Sequence, residues 1–239
     1  MEISVRHSPS FAVARVALAG NEQIRVESGA MMSMSGGVTL TSKMEGGFLK
    51  SAKRAVMGGE SFFQTTYTAP AQGGWVDVAP RLPGDLLSLP ISSEQALVIS
   101  KGSWIASDLG VQLDTKWGGF KNMFGSEGGF VVRASGNGPV LVSCYGALET
   151  WTLAPGEGIT LDTGHMVAYD DSVQMTIRKV TGGLMQTVKS GEGLVFDFVG
   201  PGRVMTQTRN PNELVGWIAA ALPGSGGSGG LLGSVMGRE

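Results

Sequence analysis

The chain has 239 residues, with 18 Lys and Arg, 20 Asp and Glu, and 38 glycines. A net charge near zero argues against a nucleic-acid binder, which shows a basic surplus. A single cysteine, Cys144, excludes a disulfide framework and a cysteine-based zinc site.

Abundant glycine and sparse charge fit many short strands joined by tight turns. Residues 1–10 read as a lead-in strand in which Ile3 and Val5 alternate, ended near Pro9. A strand at 11–18, a turn at Gly20-Asn21-Glu22 and a strand at 24–26 follow. Val38-Thr39-Leu40-Thr41 has period two and predicts Val38 and Leu40 inward. Behind Gly46-Gly47, residues 48–57 read as a helix, with Leu49, Lys53, Val56 and Met57 on one face. Glu60 opens a strand through Phe62 and Phe63, and 75–78 forms another after Gly73-Gly74.

From Leu86 the pattern starts again, with strands at 86–89, 96–99, 130–132 and 140–142. It starts once more with strands at 148–153, 159–161, 194–196 and 204–206. Asn210 then reads as a helix cap and Pro211 as the first helical residue. Leu214, Trp217, Ile218 and Ala221 share a face that predicts docking through Trp217, and Pro223 ends the helix. From Gly224 onward the Gly/Ser composition is that of a flexible linker.

One short stretch occurs three times. Gly164-His165-Met166-Val167-Ala168-Tyr169 is followed by Val173 and by Gly182-Gly183-Leu184. Gly102-Ser103-Trp104-Ile105-Ala106-Ser107 is followed by Val111 and by Gly118-Gly119-Phe120. Gly29-Ala30-Met31-Met32-Ser33-Met34 is followed by Val38 and by Gly46-Gly47-Phe48. The first Gly and the Val are nine apart each time (29 to 38, 102 to 111, 164 to 173). Units of this kind do not bury a core alone and must stack. The expected fold is therefore all-β: three internal repeats of about 65 residues forming a pseudo-threefold β-prism or barrel, closed as one domain over 1–209. Its units span about 11–80, 86–146 and 147–208, followed by a short C-terminal helix at 210–223 and a Gly/Ser-rich tail at 224–239.

Several stretches carry a family resemblance: Gly-Gly-Glu-Ser-Phe-Phe at 58–63, Leu-Pro-Gly-Asp at 82–85 and Lys-Gly-Ser-Trp-Ile-Ala-Ser-Asp at 101–108. Ser-Gly-Glu-Gly at 190–193, Gly-Pro-Gly-Arg-Val at 200–204 and Gln-Thr-Arg-Asn-Pro at 207–211 add to it. Over roughly residues 10–222 the chain resembles the family named for altered inheritance of mitochondria, in its uncharacterised bacterial and archaeal branch. The resemblance implies a threefold β-prism-like fold, similar to repeated units of the trp RNA-binding attenuation protein, and the family carries no established enzymatic activity. Fungal members are associated with the mitochondrial inner membrane. The absence of a transit peptide predicts a cytoplasmic location here, peripheral to the membrane at most.

The catalytic inventory is thin, and neither an enzyme nor a cofactor is expected. His165 stands where the other copies have Ser103 and Ala30, which favours a structural histidine over a metal ligand. Cys144, in a strand-like run, reads as a small buried hydrophobe. Glu60, Glu127 and Glu192 occupy matching places, where they either satisfy backbone N–H groups or meet as a carboxylate cluster. The turn residues Glu22, Glu94 and Glu157 carry the same backbone reading. The Gly-Gly segments interleave apolar and basic residues: Phe48, Leu49, Lys50, Lys53 and Arg54; Phe120, Lys121 and Phe124; Leu184 and Lys189. Such segments either plug the ends of the β body or bind an anionic membrane surface or a protein partner. The leading expectation is a non-enzymatic scaffold or binding protein, acting as a monomer or homo-oligomer. The alternatives are a small-ligand or metal-binding β-barrel, enzymatic or not, and an RNA binder, which the charge balance disfavours.

Overall fold

The computed structural model describes residues 1–43, 64–114, 131–179 and 194–222. The expected helix over 48–57 and the strand opened by Glu60 lie outside them.

The first seven strands are β1 (Glu2–Arg6), β2 (Val13–Leu18), β3 (Gln23–Glu27), β4 (Met31–Met34), β5 (Thr39–Lys43), β6 (Gln64–Thr68) and β7 (Gly74–Val78). Six more follow: β8 (Leu86–Ile91), β9 (Leu97–Ser100), β10 (Trp104–Asp108), β11 (Val111–Asp114), β12 (Val131–Gly136) and β13 (Gly138–Ser143). The last six are β14 (Leu148–Leu153), β15 (Gly158–Asp162), β16 (Met166–Asp170), β17 (Gln174–Lys179), β18 (Leu194–Val199) and β19 (Gly202–Gln207). Helix α1 (Pro211–Ala221) ends the described chain. Alternation puts these runs into strands. In β2, Ala14, Val16 and Leu18 are buried while the residues between them are not, as the period of two in a pleated strand requires.

The strands form four sheets, in the orders β1-β2-β7-β4, β5-β6-β3-β10-β13-β8, β11-β12-β9-β16-β19-β14 and β15-β18-β17. Within them β2 and β4 flank β7, β8 and β10 flank β13, and β14 and β16 flank β19. Likewise β3 and β5 flank β6, β9 and β11 flank β12, and β15 and β17 flank β18. Two further pairings, β3 with β10 and β9 with β16, join these sets. The register shifts between Met31 and Ser33, between Trp104 and Ala106, and between Met166 and Ala168. Each shift leaves one residue extra in its strand, as in a β-bulge.

Of the prism or barrel expected from the sequence, the barrel is not found: among the described residues none of the four sheets closes. Closure requires every edge strand to find a partner, and β4 and β15 are edge strands of different sheets.

Three buried clusters hold the sheets together. The first joins Val16, Val76 and Val78 of the first sheet to Ile24, Val26, Ile105 and Leu141 of the second. Another joins Leu89, Trp104, Val140 and Val142 to Ile99, Val167 and Met205 of the third sheet. The last joins Val98, Tyr169 and Val204 to Phe196 and Phe198 of the fourth. The second and third sheets are therefore buried on both faces. Val38 is buried as expected, but Leu40 is exposed, because β5 is the outermost strand of its sheet.

In the Leu-Pro-Gly-Asp stretch, Gly84 bridges to Gly146, and a Cβ there would lie 2.0 Å from the carbonyl oxygen of Cys144. Backbone cannot give way as a side-chain tip can. Gly84→Ala is therefore expected to cost about 2 kcal/mol, read as a lower urea midpoint at unchanged slope. A wild-type midpoint would show that this crossing is looser than the structure has it.

Asn210 caps α1 by accepting from the Asn212 N–H, with Pro211 at the helix start. Residues Met1–Arg209 form one compact unit and Asn210 onward another. The helix has no buried residue, and Trp217 is 70 % exposed.

Candidate functional site

A groove of about 510 Å³ opens beside β15. It is lined by Glu149 and Trp151 of β14, Ile159, Thr160 and Leu161 of β15, His165, and Thr206, Gln207 and Thr208 at the end of β19. Pairing fixes its two walls. Trp151 faces Val204 across β14 and β19, while Ile159 faces Phe198 and Leu161 faces Phe196 across β15 and β18. The Trp151 indole Nε1–H donates to Thr206 Oγ1 at 3.3 Å, which orients the ring.

His165, at the end of a 3-10 turn over Thr163–His165, lines the groove. The Asp162 carboxylate accepts from the Gly164 N–H at 2.9 Å. Gln207 Nε2 donates to the Gly164 carbonyl at 2.8 Å, and its Oε1 accepts from the Tyr145 N–H at 2.8 Å. His165 Nδ1 lies 2.6 Å from the Gln207 carbonyl oxygen. A carbonyl only accepts, so Nδ1 carries the proton in this contact. The histidine is thus held by the backbone of β19, in keeping with a structural role.

Glu22, Glu157 and Cys144 have backbone partners. The Glu22 and Glu157 carboxylates each accept from the backbone N–H three residues earlier, Ala19 and Ala154, at 2.8 Å. This is the backbone role expected of the turn glutamates, and it holds for Glu22 and Glu157 but not for Glu94. Cys144 is buried, its Sγ–H donates to the Gly146 carbonyl at 3.3 Å, and burial pushes the thiol up to about 11. So high a value leaves almost no thiolate at neutral pH. Among the described residues no group of three His, Cys, Asp or Glu is placed to hold a metal ion.

The candidates Phe48, Leu49, Lys50, Lys53, Arg54, Phe120, Lys121, Phe124, Leu184 and Lys189 lie outside the described residues, as do Glu60, Glu127 and Glu192. The structure brings forward others: Trp151, Ile159, Leu161 and Gln207. One sequence signal for them exists. Thr150-Trp151-Thr152 sets a large aromatic among polar neighbours, and β14 is exposed from Glu149 through Thr152. A strand with no buried face along its middle marks a surface awaiting cover.

Among the described residues no helix is long and apolar enough to cross a membrane. The chain is 28 % identical to an uncharacterised protein of Streptococcus pyogenes serotype M6, over 94 % of this chain and 92 % of that protein. The crystal structure of protein SPYM3_0169 from Streptococcus pyogenes superposes with a TM-score of 0.78 at 25 % identity, covering 92 % of this chain and 99 % of that one. The family model for Mitochondrial biogenesis AIM24 matches residues 3–209, nearly the whole β body. With five of the six resembling stretches wholly inside that span and its fold shared with a streptococcal relative, the chain belongs to the Mitochondrial biogenesis AIM24 family.

Proposed function

We propose that this chain is a non-enzymatic scaffold built from three sister modules, and that it binds by adding an extended segment to the free edge of β15. The threefold repetition is supported by the matched strand pairings and by the three register shifts at one place in each signature. The binding reading is carried by one observation: an apolar groove, lined by Trp151, Ile159 and Leu161, lies beside a strand whose outer edge pairs with no other strand among the described residues. An edge strand offers alternate N–H and C=O groups for main-chain hydrogen bonds, and the adjoining groove selects side chains. A non-enzymatic role is consistent with the groove polar groups described above, whose contacts are to backbone and to Trp151.

The test is capture from extract of the source cells by the full chain and by Trp151→Ala, each shown to be folded by circular dichroism. Proteins held by the wild type are expected to fall at least tenfold with the variant, since a buried aromatic anchor contributes about 2 kcal/mol or more. Equal capture by both would end the β15 reading.

A further inference from the structure

One face of the first sheet packs Val16, Val76 and Val78 into the core. Alternation turns Arg15 and Asp77 to the opposite face. At the three register shifts Asp77 faces Ser33, Leu141 faces Ala106 and Met205 faces Ala168. Leu141 and Met205 are fully buried in apolar clusters, so the backbone at this place does not require a carboxylate. Asp77 instead draws in two arginines, Arg6 from β1 and Arg15 from β2.

Among the described residues neither arginine pairs with a second carboxylate, so the cluster keeps one positive charge in excess. Arg15 is fixed: its Nε and Nη2 both donate to Asp77 at 2.8 Å, and its guanidinium lies over Trp75 at 3.9 Å. Its Nη1 takes no part in that fork. Arg6 is held by one bond, from Nη2 to Asp77 Oδ2 at 3.0 Å. Its Nε is buried and has no acceptor, a costly state for a donor of a charged group. Both arginines donate to the same oxygen, Asp77 Oδ2, and both side chains reach solvent, at 40 % and 37 % exposure.

We infer that Arg6 and Arg15 form a binding site for a carboxylate presented from solvent, with Asp77 as its floor. A carboxylate brings the single negative charge that balances the cluster, and its two oxygens match the planar fork of a guanidinium. Arg15 is the fixed donor, through Nη1, and its setting by Asp77 and Trp75 lowers the ordering cost of binding. Arg6 is the donor that moves. Turning outward exchanges its one bond to Asp77 for a paired contact that also gives Nε an acceptor. Asp77 then still accepts from the Arg15 fork and from Ser33. A phosphate dianion fits worse, because Asp77 beneath it repels the second negative charge.

The arginine Nε–H signals of the full chain, followed by NMR in chloride buffer, test the site. Acetate probes a free carboxylate, and an oligoglutamate peptide probes a carboxylate on an acidic protein segment. The Arg6 and Arg15 signals are expected to shift together along one saturation curve with at least one probe. Arg178, already paired one to one with Asp197, is expected to stay in place. Saturation by acetate identifies a small-molecule source, and saturation by the peptide alone an acidic segment. Arg6→Gln, shown to be folded by circular dichroism, is expected to bind about tenfold more weakly, as the loss of a hydrogen bond to a charged group predicts. Arg6 and Arg15 signals that ignore both probes overturn the inference, as does equal binding by Arg6→Gln. An equal shift of Arg178 also overturns it, since that marks general screening by anions. A tighter response to inorganic phosphate than to either carboxylate overturns the carboxylate assignment. Should Arg6→Gln unfold, the wild-type signals decide by themselves.

Discussion

Replacing Trp104 by alanine is expected to lower the free energy of unfolding by about 3–5 kcal/mol, the range for deleting a buried aromatic side chain. Trp104 is fully buried at the start of β10, where it packs with Leu89, Val140, Val142 and Cys144. Its chain neighbour Ile105 enters the adjoining cluster with Val26 and Leu141. A cavity at Trp104 therefore opens one core at the point where the strand also serves another, and the rigid sheets on either side cannot collapse into it. Urea unfolding followed by circular dichroism reads the loss as a lower midpoint at unchanged slope. Trp104→Phe is expected to recover more than half of it. A loss below about 1 kcal/mol, typical of a surface change, would place this tryptophan outside the core.

Asp77→Ala is expected to cost about 2–3 kcal/mol, through a different mechanism. Asp77 is 2 % exposed in β7, and its carboxylate accepts from Arg15 Nε and Nη2 at 2.8 Å, from Arg6 at 3.0 Å and from Ser33 at 3.1 Å. The Arg15 guanidinium also stacks over Trp75 at 3.9 Å. Both arginines reach solvent, so the guanidinium groups left behind remain hydrated, which keeps the loss at the lower end of the range for a broken buried pair. The Arg15 hydrogen bond, helped by Ser33 and Arg6, holds the Asp77 carboxyl below its ordinary value against the opposing effect of burial. A depressed folded-state pKa contributes stability above the unfolded value of about 4, and that contribution is lost as pH falls through the folded value. The difference in stability between wild type and Asp77→Asn should thus shrink below about pH 4. A gap that persists undiminished in acid would mean the charge of Asp77 is not what the site uses.

The strands were legible in the sequence because alternation and turn chemistry are local. The period of two in 13–18 and the Gly-rich turns before 75–78 and 140–142 lie within a few residues of one another. The Asn210 cap was legible for the same reason, since its bond spans two residues. Leu40 was misjudged, because a side chain that faces inward by pattern is buried only if another layer lies over it. The groove was not legible at all. Trp151, Ile159, Leu161 and Gln207 are separated by up to 56 positions (151 to 207), and hydrogen bonds across strands bring them together.

By itself the sequence determined an all-β chain with a short C-terminal helix, since residue type and spacing set local backbone preference. Only the tertiary structure decided which edges are satisfied. Met32, Ile105 and Val167 hold matching places in three similar stretches, yet two are buried and one is exposed. The difference lies in what stands before each strand in space, a property that no residue carries in its own identity.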